Sequence, residues 1–365
     1  MFRALSLAAF IGVFTAYVSS AASPIKQLTN TTASNVRPAF SPDGKRIAFQ
    51  SNRDGPYHIF VMDADGSNVS QLTNGDLDDR HPAWSPDGKT LVIDSGDSVK
   101  REIWTIDLSS KRRTQITKLG AIASFPSFSP DGKRIGFFVY QAGTMDLWTA
   151  DAGSATPTRL TRDLASEANS QCTFACHSAA WSPDGSRLAV TDGDGARVLL
   201  LSSSSGQVAA PPISPDDEKS HFPTYLPDGR IVYVTEHVTI DQSWTDLWLV
   251  DPRSNEPRTE LATQVQAQGP FEFSGDARQL LFSSPRSGNF EIYSVTLDAA
   301  GKAALATRPT QLSSQDVQPP PSQSVSSGFS LPKDPEPYFL ALAVIAFGTV
   351  GVEAFMRRRR SRPKT

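Results

Sequence analysis

The sequence predicts an all-β fold, a six-bladed β-propeller of four-stranded antiparallel blades, on three observations. A tetrapeptide, Ser41-Pro-Asp-Gly44, returns as Ser85-Pro-Asp-Gly88, Ser129-Pro-Asp-Gly132 and Ser182-Pro-Asp-Gly185, with weaker copies at Leu226-Pro-Asp-Gly229 and Ser274-Gly-Asp-Ala277. Successive starts lie 44, 44, 53, 44 and 48 residues apart, a period at which stacked units of short strands build an array. Within each period, runs of apolar alternation are separated by turn residues, as half-buried strands require.

The first unit shows how each element arises. Pro42 presets φ for the first corner of a type I turn, Asp43 tolerates the second, and Gly44 takes the left-handed conformation that closes a bulged hairpin. Ala39-Phe40 precedes this turn and Ile47-Ala-Phe49 follows it. A third run, Ile59-Phe-Val-Met62, ends in the turn Asp63-Ala-Asp-Gly66, and Val69-Ser-Gln-Leu-Thr73 closes the unit. The third-strand place then reads Ile103-Trp-Thr-Ile106, Leu147-Trp-Thr-Ala150, Val198-Leu-Leu-Leu201, Leu247-Trp-Leu-Val250 and Ile292-Tyr-Ser-Val295. Large apolar residues at one fixed place suit the contact between neighbouring blades, since a lone sheet cannot bury both its faces.

The pattern Pro-x-(Phe/Trp)-Ser-Pro-Asp-Gly-Lys-x-Ile-Ala, then Ile-(Phe/Trp)-x-x-Asp, then Gln-Leu-Thr resembles the repeat of the TolB-type β-propellers, over residues 25–314. The first three units match closely, the fourth fairly well, and the fifth and sixth loosely. The resemblance implies a binding module whose partner is another envelope protein.

A ring must join its last blade to its first, which removes exposed strand edges. Ile25-Lys-Gln-Leu-Thr-Asn30 and Pro309-Thr-Gln-Leu-Ser313 both look like fourth strands, one more than six blades require. The amino-terminal one is expected in the last blade; which of the two is outermost stays open.

Five regions follow. Residues 1–22 read as a signal peptide, with Arg3, an apolar centre and Ser20-Ala-Ala22. Residues 23–314 are the propeller. Residues 315–337, rich in Pro, Ser and Gln, form a flexible linker. Residues 338–356 are apolar except for Glu353 and long enough for a transmembrane helix. Residues 357–365, with Arg357-Arg-Arg-Arg360, Arg362 and Lys364, fix that end on the cytoplasmic side. Pro335-Glu-Pro337, the apolar run and the arginine cluster also resemble the bacterial PEP-CTERM sorting signal, which implies removal of the tail by an exosortase and transfer to the outer surface. Signal peptidase and exosortase would then be processing partners. The formal charge is −3, and the basic residues gather in the tail, so the body is more acidic and has no general attraction for nucleic acid.

The loop entering each first strand leads towards the axis of a propeller. Four and five residues before the turns stand Arg37, Arg80, His81, Phe125, His177, His221 and Phe222. Arg, His and aromatic side chains around one channel mouth suit protein recognition; the plainer alternative is that His81 and His221 cap strand ends. An insertion in the fourth unit holds Cys172-Thr-Phe-Ala-Cys176-His177. In an exported chain two cysteines this close are expected to form a disulfide, while Cys-x-x-x-Cys-His also resembles a rarer form of the c-type haem attachment sequence. The Asp-Gly clusters lack the spacing of a helix-flanked calcium loop and serve turns. Gly-x-Ser-x-Gly is absent. No catalytic constellation stands out, and no cofactor or metal is expected. The function so read is a non-enzymatic protein-binding module of the cell envelope, exported and tethered to the membrane. The alternatives are a lyase or glycan hydrolase working in the channel, and a structural surface protein.

Overall fold

The computed structural model describes residues 25–153, 156–162, 164–166, 179–192, 197–238, 243–265 and 268–297. The signal peptide, Cys172, Cys176, His177, the strand expected at 309–313, the linker with Pro335, Glu336 and Pro337, the membrane helix and the basic tail lie outside them. Among the described residues no helix is long and apolar enough to cross a membrane.

The turns explain why Ser-Pro-Asp-Gly recurs. Gly44 sits at φ 68°, and its N–H donates to the Ser41 carbonyl at 2.8 Å. Serine adds what proline and glycine do not. Ser41 Oγ donates to Asp43 Oδ1 at 2.6 Å and accepts the Arg46 N–H at 2.9 Å, while Asp43 accepts the Lys45 N–H. The same serine–aspartate lock repeats at Ser85, Ser129, Ser182 and Ser274. Each turn thus satisfies its own polar groups and delivers the chain into the second strand in register.

The strands form antiparallel meanders. Asn35–Phe40, Arg46–Ser51, His58–Asp63 and Ser70–Gln71 make one four-stranded sheet, and Ser220–Tyr225, Ile231–Val238, Ser243–Val250 and Thr259–Val265 another. In a third, Gln268–Phe273, Gln279–Ser284 and Glu291–Thr296 are joined by Lys26–Gln27, the outer strand among the described residues. The amino-terminal strand is therefore the one that pairs directly with the last hairpin. Two further meanders, Asp78–Trp84 to Arg113–Gln115 and Ile122–Phe128 to Thr158–Arg159, merge into a nine-stranded sheet through one parallel pair, Ile122 and Arg101. Among the described residues Ala180–Trp181, Arg187–Thr191 and Val198–Ser202 make a sheet of three strands, with a single bridge from Val208 to Leu201 beside the third. The fourth unit lacks a Gln-Leu-Thr segment and continues into Pro211-Pro212, which cannot donate to a ladder.

Gln-Leu-Thr has its own task. The threonine hydroxyl accepts the N–H of the third strand: Ile59 to Thr73, Ile103 to Thr117, Leu147 to Thr161 and Ile292 to Thr29, at 2.8–2.9 Å. In the fourth unit Ser214 replaces it for Val198.

The core lies between sheets. Ala48 and Ile59 pack against Trp84 and Ile93, Val92 and Ile103 with Phe137, Phe138 and Leu147 with Trp181, Leu200 with Ile231, and Val234 and Leu247 with Phe271 and Phe282. Phe49 and Phe60 then join Leu281 and Ile292, bringing the first sheet onto the last. Burial on both faces explains the near-continuous apolar second strands, of which Ile47, Leu91, Ile135 and Leu280 are all fully buried. The architecture is an all-β propeller of antiparallel blades.

Candidate functional site at the propeller axis

The inner strands do not run straight. Pairing with the second strand slips between Val36 and Ala39, Arg80 and Ala83, Ser124 and Ser127, and His221 and Thr224. Each slip is a bulge, and in each bulge one residue has positive φ: Arg37 (56°), His81 (52°), Phe125 (57°) and Phe222 (51°). For a side chain with a Cβ this costs about 1–2 kcal/mol, and the proline that follows each one ordinarily drives its predecessor towards extended backbone. Such conformations persist only where surrounding contacts hold them.

The bulges aim these side chains at one another. The Arg37 guanidinium lies 5.3 Å from the Phe125 ring centre and 5.6 Å from that of Phe222, so it is held between two aromatic rings from other blades. All three residues are buried. The His81 ring packs 4.1 Å from Phe125, and its backbone N–H is fixed by Gln50 Oε1 at 2.9 Å. His81 Nδ1 and Asp94 Oδ1 are 2.6 Å apart, and Arg101 Nε donates to Asp94 Oδ2 at 2.7 Å. Asp94 is fully buried. Burial alone would raise its pKa, but the charges and hydrogen bonds of His81 and Arg101 outweigh it and hold the carboxylate at about 2. The His81 imidazole is pushed down by burial, against the pull of Asp94 and aided by the nearby Arg37 and Arg101 charges.

His221 extends the cluster on the strand that already supplies Phe222. Its ring meets Phe222 edge-on at 6.3 Å, its Nε2 lies 3.5 Å from Glu236, and its Nδ1 is buried without a partner. The His221 hydrogen bond lowers the Glu236 pKa. Glu272, on Gln268–Phe273, is pushed up to about 7 by burial, with Arg37 acting in the opposite direction.

Of the seven residues singled out in sequence, Arg37, His81, Phe125, His221 and Phe222 are therefore brought together. Arg80 takes another direction: its guanidinium lies 4.8 Å over the Tyr57 ring and pairs with Asp78 at 2.7 Å. His177 lies outside the described residues. The arrangement is a packed plug more than an open ring, because the left-handed backbone turns the side chains onto each other. Sequence reasoning missed Asp94, Arg101 and Glu272. The signal was a lone carboxylate inside an apolar strand, Leu91-Val-Ile-Asp94 and Phe271-Glu-Phe273, where an unpaired charge would be costly.

Chemically, the cluster offers an imidazole oriented through Nδ1 by a buried carboxylate, a cation clamped between aromatic rings, and a carboxyl group that titrates near neutrality. Among the described residues no group of three or more His, Cys, Asp or Glu side chains is placed to hold a metal ion.

Sheet order and axial geometry define a β-propeller closed by its own amino-terminal strand. Residues 11–98 and 56–191 match the PD40 family, the TolB beta propeller domain, and the chain is a β-propeller of the PD40/TolB type. Solved structures agree in fold. TolB from Acinetobacter baumannii is 20% identical over 72% of this chain and 63% of that one, with a TM-score of 0.53. A putative TolB from Agrobacterium tumefaciens is 17% identical over 75% and 96%, with a TM-score of 0.54. An oligogalacturonate lyase from Vibrio parahaemolyticus is 15% identical over 78% and 96%, with a TM-score of 0.54. No curated protein sequence matches the chain.

Proposed function

We propose that the chain is an exported, six-bladed TolB-type propeller that works as a non-enzymatic protein-binding module of the cell envelope. It is held to the membrane by residues 338–356 or sorted outward through Pro335-Glu-Pro337. The observation that carries this reading is the fixed axial cluster of Arg37, Phe125, Phe222 and His81, set in bulges that need no ordering on binding. The cluster is buried and pre-sets the backbone around it, where Arg80 is partly exposed; Arg is among the residues protein partners engage most strongly, and TolB-type propellers are linked to the envelope. A photo-crosslinking amino acid at Arg80, beside this mouth, tests the reading in living cells. A discrete adduct with one envelope protein is expected there, and none from Lys133 on the Ser-Pro-Asp-Gly face. Equal adducts from both positions, or none from either, would defeat it.

A second reading is favoured by the His81–Asp94 pair together with Glu272. An imidazole whose pKa burial lowers and a carboxyl group raised to about 7, each influenced by the Arg37 charge, are candidates for a base and an acid, as a lyase acting on acidic sugars would use. Turnover of oligouronides that is lost in His81→Gln and kept in Arg80→Gln would establish it and remove the first reading.

A further inference from the structure

Away from the axis, the outer rim holds a cavity of about 310 Å³ between the first two units, lined by Gln71, Leu72, Thr73, Asn74, Ile106, Lys111 and Arg113. Its polar walls are not balanced. Arg113 is already neutralised, both terminal nitrogens reaching the buried Asp79 carboxylate at 3.1 and 2.8 Å. The Thr73 hydroxyl accepts the Ile59 N–H. By contrast, Gln71, Asn74 and Lys111 are exposed at its rim, and their side chains have no hydrogen bond or ion pair among the described residues. Two amides and one ammonium thus surround a space that supplies no carboxylate of its own.

The backbone that carries Lys111 is fixed. Lys111 adopts φ 56° in a turn fixed by Asp107, whose Oδ1 receives the hydroxyls of Ser109 and Ser110 and the Ser110 N–H. That carboxylate is thereby committed to the turn. Leu72 and the buried Ile106 form the apolar part of the wall.

We infer that this cavity binds a small monocarboxylate, its oxygens on Lys111, Asn74 and Gln71 and its short carbon chain against Leu72 and Ile106. One uncompensated positive charge matches one negative charge, whereas a phosphate dianion would be left half-neutralised. The volume sits at the lower end of the usual range for ligand sites, roughly 300–1,000 Å³. The same carboxylate chemistry is presented by a free organic acid and by the last residue of a peptide.

The test is calorimetric titration of the full-length chain with propionate, propionamide and inorganic phosphate, repeated on Lys111→Asn. Asparagine tolerates the left-handed backbone, and an unchanged melting temperature shows that the variant is folded. Propionate is expected to bind, propionamide not, and Lys111→Asn to weaken propionate about tenfold. Equal binding of propionamide, tighter binding of phosphate, or no effect of the substitution would each overturn the site. Acetyl-Ala-Val with a free or amidated end separates the sources: a free-ended peptide that binds more tightly than propionate assigns the site to chain termini, and one that binds no better assigns it to free acids. None of these outcomes depends on the axial cluster.

Discussion

At Ala277 the backbone has φ 55°, at the place where Gly44, Gly88, Gly132, Gly185 and Gly229 close the other turns. A methyl group there strains the turn, so Ala277→Gly is expected to stabilise the protein by about 0.5–1 kcal/mol, after allowance for the greater freedom of glycine in the unfolded chain; urea denaturation midpoints check it. Glu272 gives a pH dependence of definite sign. Its ordinary value is 4.5 and its folded value about 7, so the unfolded chain loses this proton first. The stability it contributes is whole below pH 4.5 and is lost as pH rises through about 7. Glu272→Gln should flatten the stability profile across that window, and an unaltered profile would refute the assignment. Asp94 behaves in the opposite sense: its contribution is present above 3.8 and lost as pH falls towards about 2. At this scale the sequence placed Arg37, His81, Phe125 and Phe222 by counting from the turns, yet their left-handed backbone was not legible. A residue before proline carries the opposite expectation, and only contacts across the axis overrule it.

Strand by strand, the repeat reads as a set of polar locks. Thr117 accepts the Ile103 N–H and donates to Glu102, which also takes the N–H groups of Leu119 and Gly120. Thr117→Val keeps the shape and removes both bonds, at an expected cost of about 1–3 kcal/mol in chemical denaturation. Asp146 holds the Leu164 N–H, and Glu291 the Thr31 N–H, in the same manner. In the first unit His58 occupies this place, its Nδ1 buried without a partner, and residues 74–77 are exposed. His58→Glu is therefore expected to slow hydrogen exchange at residues 75–77, read by mass spectrometry. Hairpins and third strands were legible from Pro, Asp, Gly and apolar alternation. The three-stranded fourth sheet was not, because prolines after Val208 had to be weighed against the period.

For the molecule as a whole, the closing seam joins an apolar cluster to a small set of polar groups. Glu291 accepts from the Thr31 N–H at 2.7 Å and from Asn35 Nδ2 at 2.8 Å, while Leu28 donates to the Ile292 carbonyl. Glu291→Ala leaves buried donors unpaired at the seam and is expected to cost about 3 kcal/mol. Limited proteolysis should then cut near residues 28–34 before any other site; cleavage elsewhere first would show that the seam is not the weakest junction. That a terminal strand would enter the last blade was legible in Lys26-Gln-Leu-Thr29, since the motif names its own place in a unit.

Because Lys26–Gln27 pairs as a strand with Glu291–Thr296, the earliest part of the body to emerge has its ladder partner among the latest. A chain threading through a translocation pore or leaving a ribosome therefore carries an unmatched edge for nearly the whole of its passage. Long-range pairing of this kind is slow, so completion of the wheel should depend on holding factors more than on local strand formation.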